Sequence, residues 1–314
     1  MLTVIIGGLA IGFILAPLAM GVHISYRLLR FADISVDGTF ALGAVLAARL
    51  IMFDVEPVTA SLAALLAGSA AGACTGILIT RLGIQRILAG ILVMTALYSV
   101  NLYVLGKAAH AFDSEITLYS YAQSGAVALF GDTEAHTLLG MKFFPVRVVS
   151  MMHYGLLSAA ICGALLLFFR TRLGLAVRGA GSSEAALRAL GGNVPAFIVI
   201  ALAISNGLAA LSGALLSQEL GMAGITDGVG MIVIGLACVM IGDAFFGRRS
   251  FAWKFAGALL GALIYRMLIA LLMFAGIFSS DVKLFTAVFV IAALVLPRAL
   301  QRLRSLRAGT IQPE

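Results

Sequence analysis

The sequence predicts an all-α polytopic membrane protein, and three observations carry that prediction. Of its 314 residues, 62% are apolar and only 11% are Asp, Glu, Lys or Arg, with mean hydropathy +1.10. Soluble domains average about 45–50% apolar and about 25% charged residues. The apolar residues come in long runs, near the roughly 20 residues that cross a hydrocarbon core of about 30 Å. Lys and Arg concentrate in one set of alternate loops between those runs. A water-soluble globule is thereby excluded, and so is disorder, which requires few hydrophobic residues and much charge.

Taken in order, the runs give candidate spans at 2–22, 38–53, 58–79, 87–106, 147–169, 195–217, 229–242, 254–275 and 283–297. About nine transmembrane helices are expected, within a range of eight to ten, in a single transmembrane domain over 1–314. The second and seventh spans are short. The chain opens Met1-Leu2-Thr3-Val4 without a basic stretch, so it reads as a first span entering directly and not as a cleaved signal peptide. Gly is frequent at 35 residues, and small residues let membrane helices approach closely or break.

Orientation follows from the cations. One set of alternate loops holds 15 of the 21 Lys and Arg, among them Arg27, Arg30, Arg86, Arg170, Arg188 and the C-terminal Arg298 to Arg307. The positive-inside rule makes this set cytoplasmic, with an outside N-terminus and a cytoplasmic C-terminus. Acidic residues lean the other way, at Asp54, Glu56, Asp113, Glu115, Asp132, Glu134, Glu219, Asp227 and Asp281. The net charge of +7 is therefore a topology signal, and a nucleic-acid partner is not expected. Cys74, Cys162 and Cys238 lie in apolar spans without CxxC spacing and read as buried free thiols. The four His share no ligand spacing, so no metal site is expected.

Two segments break the apolar pattern in a related way. The first runs Asp33-Ile34-Ser35-Val36-Asp37-Gly38-Thr39, and the second Gly224-Ile225-Thr226-Asp227-Gly228-Val229-Gly230. Each sets Ile and a hydroxyl residue before Asp-Gly and then opens a Gly-rich helix. Ser, Thr and Asp are good N-caps, and Gly permits the turn. The topology above places the first break near the cytoplasmic side and the second near the outside. Related breaks on opposite faces are the expected trace of an inverted repeat whose broken helices line a transport route. Ser35, Asp37, Gly38, Thr226, Asp227 and Gly228 are the candidate pathway residues; the plainer alternative is that both Asp merely cap ordinary helices. Arg266 lies deep in its span and must snorkel, face a wet cavity or pair with an acid. Asn101, Asn206 and Gln218 suit interhelical hydrogen bonds.

The loop 170–194 has its own pattern. Ser182 or Ser183 can cap a short helix over roughly 183–190, which Gly191 and Gly192 stop. Ala185, Ala186, Ala189 and Leu190 sit beside Glu184 and Arg188, an i,i+4 pair. A short helix of small residues in a cytoplasmic loop suits insertion into a groove of another protein.

This stretch resembles the coupling loop of ABC-transporter permeases of the branched-chain amino acid and ribose type. Their pattern of Thr-x-Leu-Gly-x-Ala-x-Arg-Ala, then Ala-Ala, then Leu-Gly is matched by Thr171, Leu173, Gly174, Ala176, Arg178, Ala185, Ala186, Leu190 and Gly191. Gly179 departs from the usual Ala, and Ser183 stands where Asn is frequent. The stretches Phe31–Phe40 and Gly228–Ala237 are similar to the branch linked to tryptophan- and tyrosine-type binding proteins. The resemblance runs from about residue 20 to 297.

It implies a type II ABC importer-like permease in a bacterial cytoplasmic membrane, acting as a homodimer amid lipid. The solute would be small, polar and amino acid-like, and aromatic on the branch resemblance. Partners implied are an ABC ATPase subunit at Arg178, Gly179, Ser183, Glu184, Ala185, Ala186, Arg188, Leu190 and Gly191, and an extracytoplasmic solute-binding protein at outer loops such as 107–146. That outer segment has room for a short helix. No Gly-x-x-x-x-Gly-Lys-Ser/Thr occurs in the sequence, so ATP and Mg would belong to the partner ATPase and this chain would not be an enzyme. An ion-coupled secondary transporter or channel stays open as the alternative; it calls for paired intramembrane carboxylates.

Overall fold

The computed structural model describes residues 2–112, 116–131, 134, 136–138, 141–246, 251–276, 284–288 and 291. The helices are α1 (Leu2–His23), α2 (Ser35–Ile51), α3 (Pro57–Thr80), α4 (Arg86–Leu105), α5 (Leu118–Phe130), α6 (Pro145–Phe168), α7 (Arg172–Ser182), α8 (Glu184–Ala189), α9 (Val194–Leu220), α10 (Met231–Phe246) and α11 (Phe251–Phe274). Six are long and apolar enough to cross a membrane. At 17 and 16 residues, α2 and α10 correspond to the two short candidate spans. Eight of the nine candidate spans thus have a helix; the ninth, 283–297, falls mostly outside the described residues, with 284–288 helical.

Local chemistry sets the boundaries. Pro57 and Pro145 occupy the first turns of α3 and α6, where a missing N–H costs nothing. Asn193 accepts from Ala196 N at 3.3 Å to start α9. Gly106, Gly131 and Gly221 end α4, α5 and α9 in left-handed backbone, which Gly adopts without strain. Past His23, α1 continues as a π-helical turn, Ile24–Leu28, in which Leu29 N donates to Ile24 O.

The core is made by α1, α2 and α9. Burial takes in 72% of the apolar window containing α1 and 61% of that of α9, against 22–28% for α3, α4 and α6, whose outer sides are free to meet lipid. Cys162 and Cys238 are buried in the packing, but Cys74 is exposed on the outer side of α3, which corrects the expectation of three buried thiols. Glycine permits the closest crossings. A Cβ on Gly43 of α2 would lie 1.9 Å from Ala210 O, and one on Gly213 of α9 would lie 2.0 Å from Phe40 O. Helices without a hydrophobic driving force between them gain from such backbone contact.

Among the described residues, four short strands sit between the helices. β1 (Ala109–Ala111) pairs antiparallel with β4 (Met222–Gly224), and β2 (His136–Leu138) with β3 (Met141–Phe143). Because β1 follows α4 and β4 follows α9, both helices end on the same face. The opposite face carries α7, α8 and the π turn and is rich in Arg. The segment 107–146, left open by the sequence, holds α5, which packs Ala122 and Ala126 against Val146 and Val149 of α6 and its start.

Candidate functional site

The two breaks start from opposite faces, the first after the π turn on the basic face and the second from β4 on the other, and they meet inside the helix bundle. Asp37, in the first turn of α2, accepts from Gly230 N at 2.9 Å and Ile232 N at 2.8 Å. One carboxylate therefore caps α10 from another helix and lies at two helix N-termini, where the partial charge favours an anion. Asp37 is 14 residues from the end of α2, roughly 21 Å along the axis, so the junction is deep. Gly228 is required there: an added Cβ would lie 1.8 Å from Asp37 O. Gly38 offers its carbonyl to Asn101 Nδ2 at 3.3 Å.

Asp227 works locally, accepting from Gly224 N at 2.7 Å within its own turn. Burial raises its carboxyl above the usual carboxylate range, and the Gly224 amide opposes that shift. Thr226 is exposed, with its carbonyl accepting from Val229 N. The two Asp-Gly motifs therefore do different things despite similar sequence.

Beside the junction lies a buried polar network. Asp33 Oδ1 accepts from Ser35 N at 3.0 Å and from Ser35 Oγ at 2.7 Å, while Asp33 Oδ2 accepts from Asn206 Nδ2 at 2.7 Å. Thr39 Oγ1 donates to Asn206 Oδ1 at 2.8 Å. All four residues have no exposed surface. Low dielectric strengthens such a network when every group is satisfied, and this one fixes α2 to α9. Gly90 of α4 closes it, since a Cβ there would meet Asp33 Oδ1 at 3.2 Å. Arg266 stands on α11, whose backbone at this position passes Gly8 of α1, and its Nε has no hydrogen-bond partner among the described residues.

On the basic face, the stretch expected as one short helix is two. Thr171 caps α7 by accepting from Gly174 N at 3.2 Å, and Ser183 caps α8 by accepting from Ala186 N at 3.3 Å. α8 buries none of its residues. Ala185, Ala186, Ala189 and Leu190 are exposed, Leu190 at 85%, and Gly191 turns the chain at φ 77. Glu184 pairs with Arg86 of α4 at 2.8 Å and with Arg188 at 3.6 Å. α7 is anchored instead: Val177 and Ala180 are buried, and a Cβ on Gly181 would lie 1.6 Å from Leu28 O of the π turn. Arg178 lies over the Phe251 ring at 3.8 Å and Gly179 is half-buried, so neither belongs to the open surface that α8 presents.

The family described as branched-chain amino acid transport system / permease component matches residues 4–296. The chain belongs to that family. This permease is 36% identical over 282 residues to the tyrosine transport system permease protein of Clostridioides difficile (strain R20291), covering 90% of this chain and 87% of that one. It is 27% identical over 291 residues to the ribose import permease protein RbsC of Escherichia coli (strain K12), covering 92% and 80%. No solved structure matches the chain. The permease is thus a multi-pass membrane component of an ABC-type transport system, and its named relatives are transport proteins, not enzymes.

Several residues of the permease escaped sequence reasoning. Asp33 carries no expected role of its own, yet it is fully buried beside Asn206. With Asp37 it puts two carboxylates deep in the protein, where only Arg266 was expected. Each carboxylate is hydrogen-bonded to neighbouring groups of the fold. Glu219, 8% exposed, pairs with Arg147 at 3.4 Å near the outer end of α9. The adjacent Gln218, by contrast, is expected to make interhelical hydrogen bonds, and it joins Ser61 of α3 to the start of α5. Leu173 and Leu175 add exposed apolar surface at the start of α7.

Proposed function

We propose that this permease is the translocation subunit of an ATP-driven importer, working as one transmembrane unit and paired as a homodimer in the cytoplasmic membrane. α8 is the coupling helix: it sits in a cleft of a separate ATPase subunit that carries ATP and Mg. The single observation behind this reading is that α8 exposes its small apolar face while Glu184 ties it to α4 through Arg86.

Two contact routes lead inward from α8. One passes through Glu184–Arg86 into α4, whose Gly90 touches the Asp33 network. The other passes through α7, whose Gly181 abuts the π turn just before the first break. Closure of the ATPase subunits moves both routes together, changes the seating of α2 against α9 and α10, and alternates access about the Asp37 junction. The pairing of α2 and α10 at their N-termini belongs to an inverted repeat of broken helices in this reading. The basic face and the C-terminus are cytoplasmic, and a loaded solute-binding protein engages the outer segment around α5.

The cargo is a small amino acid-like solute, aromatic by analogy with the tyrosine permease relative. Co-purification with a P-loop ATPase, and ATP hydrolysis stimulated by the loaded binding protein, test this function. Glu184→Arg with Ala185→Asp is expected to abolish stimulation while leaving the membrane helices folded. Undiminished stimulation in that variant contradicts the docking assignment.

A further inference from the structure

The basic face holds two adjoining cavities that the transport reading leaves unused. One, of about 620 Å³, is lined by residues that include His23, Arg27, Arg30, Asp243 and Lys254. The other, of about 370 Å³, shares Arg27, Arg30 and Lys254 and adds Arg178 of α7. Four cations from the π turn, the segment after it, α7 and α11 therefore surround a space containing one carboxylate. That carboxylate, Asp243, is already paired with Arg27. Arg30 and Lys254 have no acidic partner among the described residues.

Positive-inside cations ordinarily point into water singly. Here they converge around one open depression, with Arg27 and Arg30 exposed at its rim, and Arg30 sits at φ 60, uncommon for a residue with a side chain. A second observation is independent of charge. His23, which lines the larger cavity, is 1% exposed, and neither ring nitrogen has a hydrogen-bond partner among the described residues. Its ring meets the Phe255 ring edge-on at 5.0 Å. A buried polar group without a partner carries a penalty that a ligand in the cavity would relieve.

We propose that these cavities bind a phosphate-bearing anion. Arg forks match phosphate oxygens in pairs and Lys adds a compact charge, while Leu28 and Phe251 supply apolar wall. The phosphate comes from an anionic phospholipid headgroup or from a soluble phosphate, since the cavities open where the helices leave the apolar zone. Its occupancy bridges α7 to α11 and the π turn, and so sets how firmly the coupling segment is held.

The full-length protein in neutral detergent is titrated with phosphatidylglycerol, with phosphatidylcholine and with inorganic pyrophosphate, using native mass spectrometry for the lipids and calorimetry for pyrophosphate. Saturable binding of phosphatidylglycerol or pyrophosphate, but not phosphatidylcholine, is expected. It weakens about tenfold in Arg30→Gln/Lys254→Gln and is unchanged in Arg81→Gln, a basic-face control outside the cavities. Phosphatidylglycerol alone assigns a lipid headgroup, and pyrophosphate binding assigns a soluble ligand. Absence of binding, equal retention of both lipids without pyrophosphate binding, or equal loss in Arg81→Gln overturns the site. If thermal melting shows the double variant unfolded, the two single variants carry the test, each weakening binding severalfold.

Discussion

Asp37 closes the N-terminus of α10 from its place on α2, with Ile232 N donating to its carboxylate at 2.8 Å. A side chain of α2 thereby caps a helix far away in sequence, and the start of α10 depends on it. Replacing Asp37 by Ala leaves two amides without their acceptor and is expected to destabilise by about 0.5–2 kcal/mol. Uptake is expected to fall more steeply than stability. Asp227→Asn, which disturbs one local turn, is expected to cost less in both. Thermal melting and uptake kinetics of the two variants side by side check the ordering.

Gly228 is the second requirement of that junction. Gly228→Ala drives a Cβ into Asp37 O, 1.8 Å away in the unrelaxed structure, and something must shift. Loss of folded protein or of transport is expected. Gly163→Ala, on α6 with nothing within 4 Å of the added carbon, is expected to be neutral or slightly stabilising through helix propensity. Size-exclusion yield and melting temperature distinguish the two.

Asn206 serves Asp33 and Thr39 at once. Asn206→Ala leaves a buried carboxylate oxygen and a hydroxyl short of partners and is expected to destabilise by about 1–3 kcal/mol. Asn206→Leu fills the volume but leaves the same groups unpaired, so it does not rescue. If denaturation shows Asn206→Leu as stable as the unchanged protein, the network is not what holds α2 to α9.

The Arg86–Glu184 pair is partly exposed, and exposed pairs contribute only about 0.2–1 kcal/mol. Its removal is therefore expected to leave melting almost unchanged and to weaken ATPase stimulation. Charge reversal in Glu184→Arg is expected to be rescued by the added Arg86→Glu. A double-mutant cycle on stimulated hydrolysis provides the check.

Much of the helical frame was legible because apolar run length and terminal residues act locally: Pro57, Pro145, Asn193 and Gly221 mark ends without reference to any neighbour. The coupling-face helix α8 was legible for the same reason, from Ser183 and the Gly191–Gly192 stop. α7 was not, because Arg172, Arg178 and three glycines dilute its apolar face, and only the packing of Val177 and Ala180 reveals it. Asp33 and Asp37 look alike in sequence, since burial of one and capping by the other depend on Asn206 and Ile232, more than 170 residues away. Pairing of β1 with β4 is likewise a consequence of where α4 and α9 end, and no local signal announces it.

The central claim is that ATP hydrolysis on a partner moves solute through this permease by way of α8. Proteoliposomes containing the permease, its ATPase and the loaded binding protein test it most directly, with ATP sealed on the basic-face side and uptake of radiolabelled aromatic amino acids followed. Uptake that requires ATP and disappears in Glu184→Arg/Ala185→Asp is predicted. Uptake that an ion gradient drives without ATP, or that the double variant leaves intact, would contradict it.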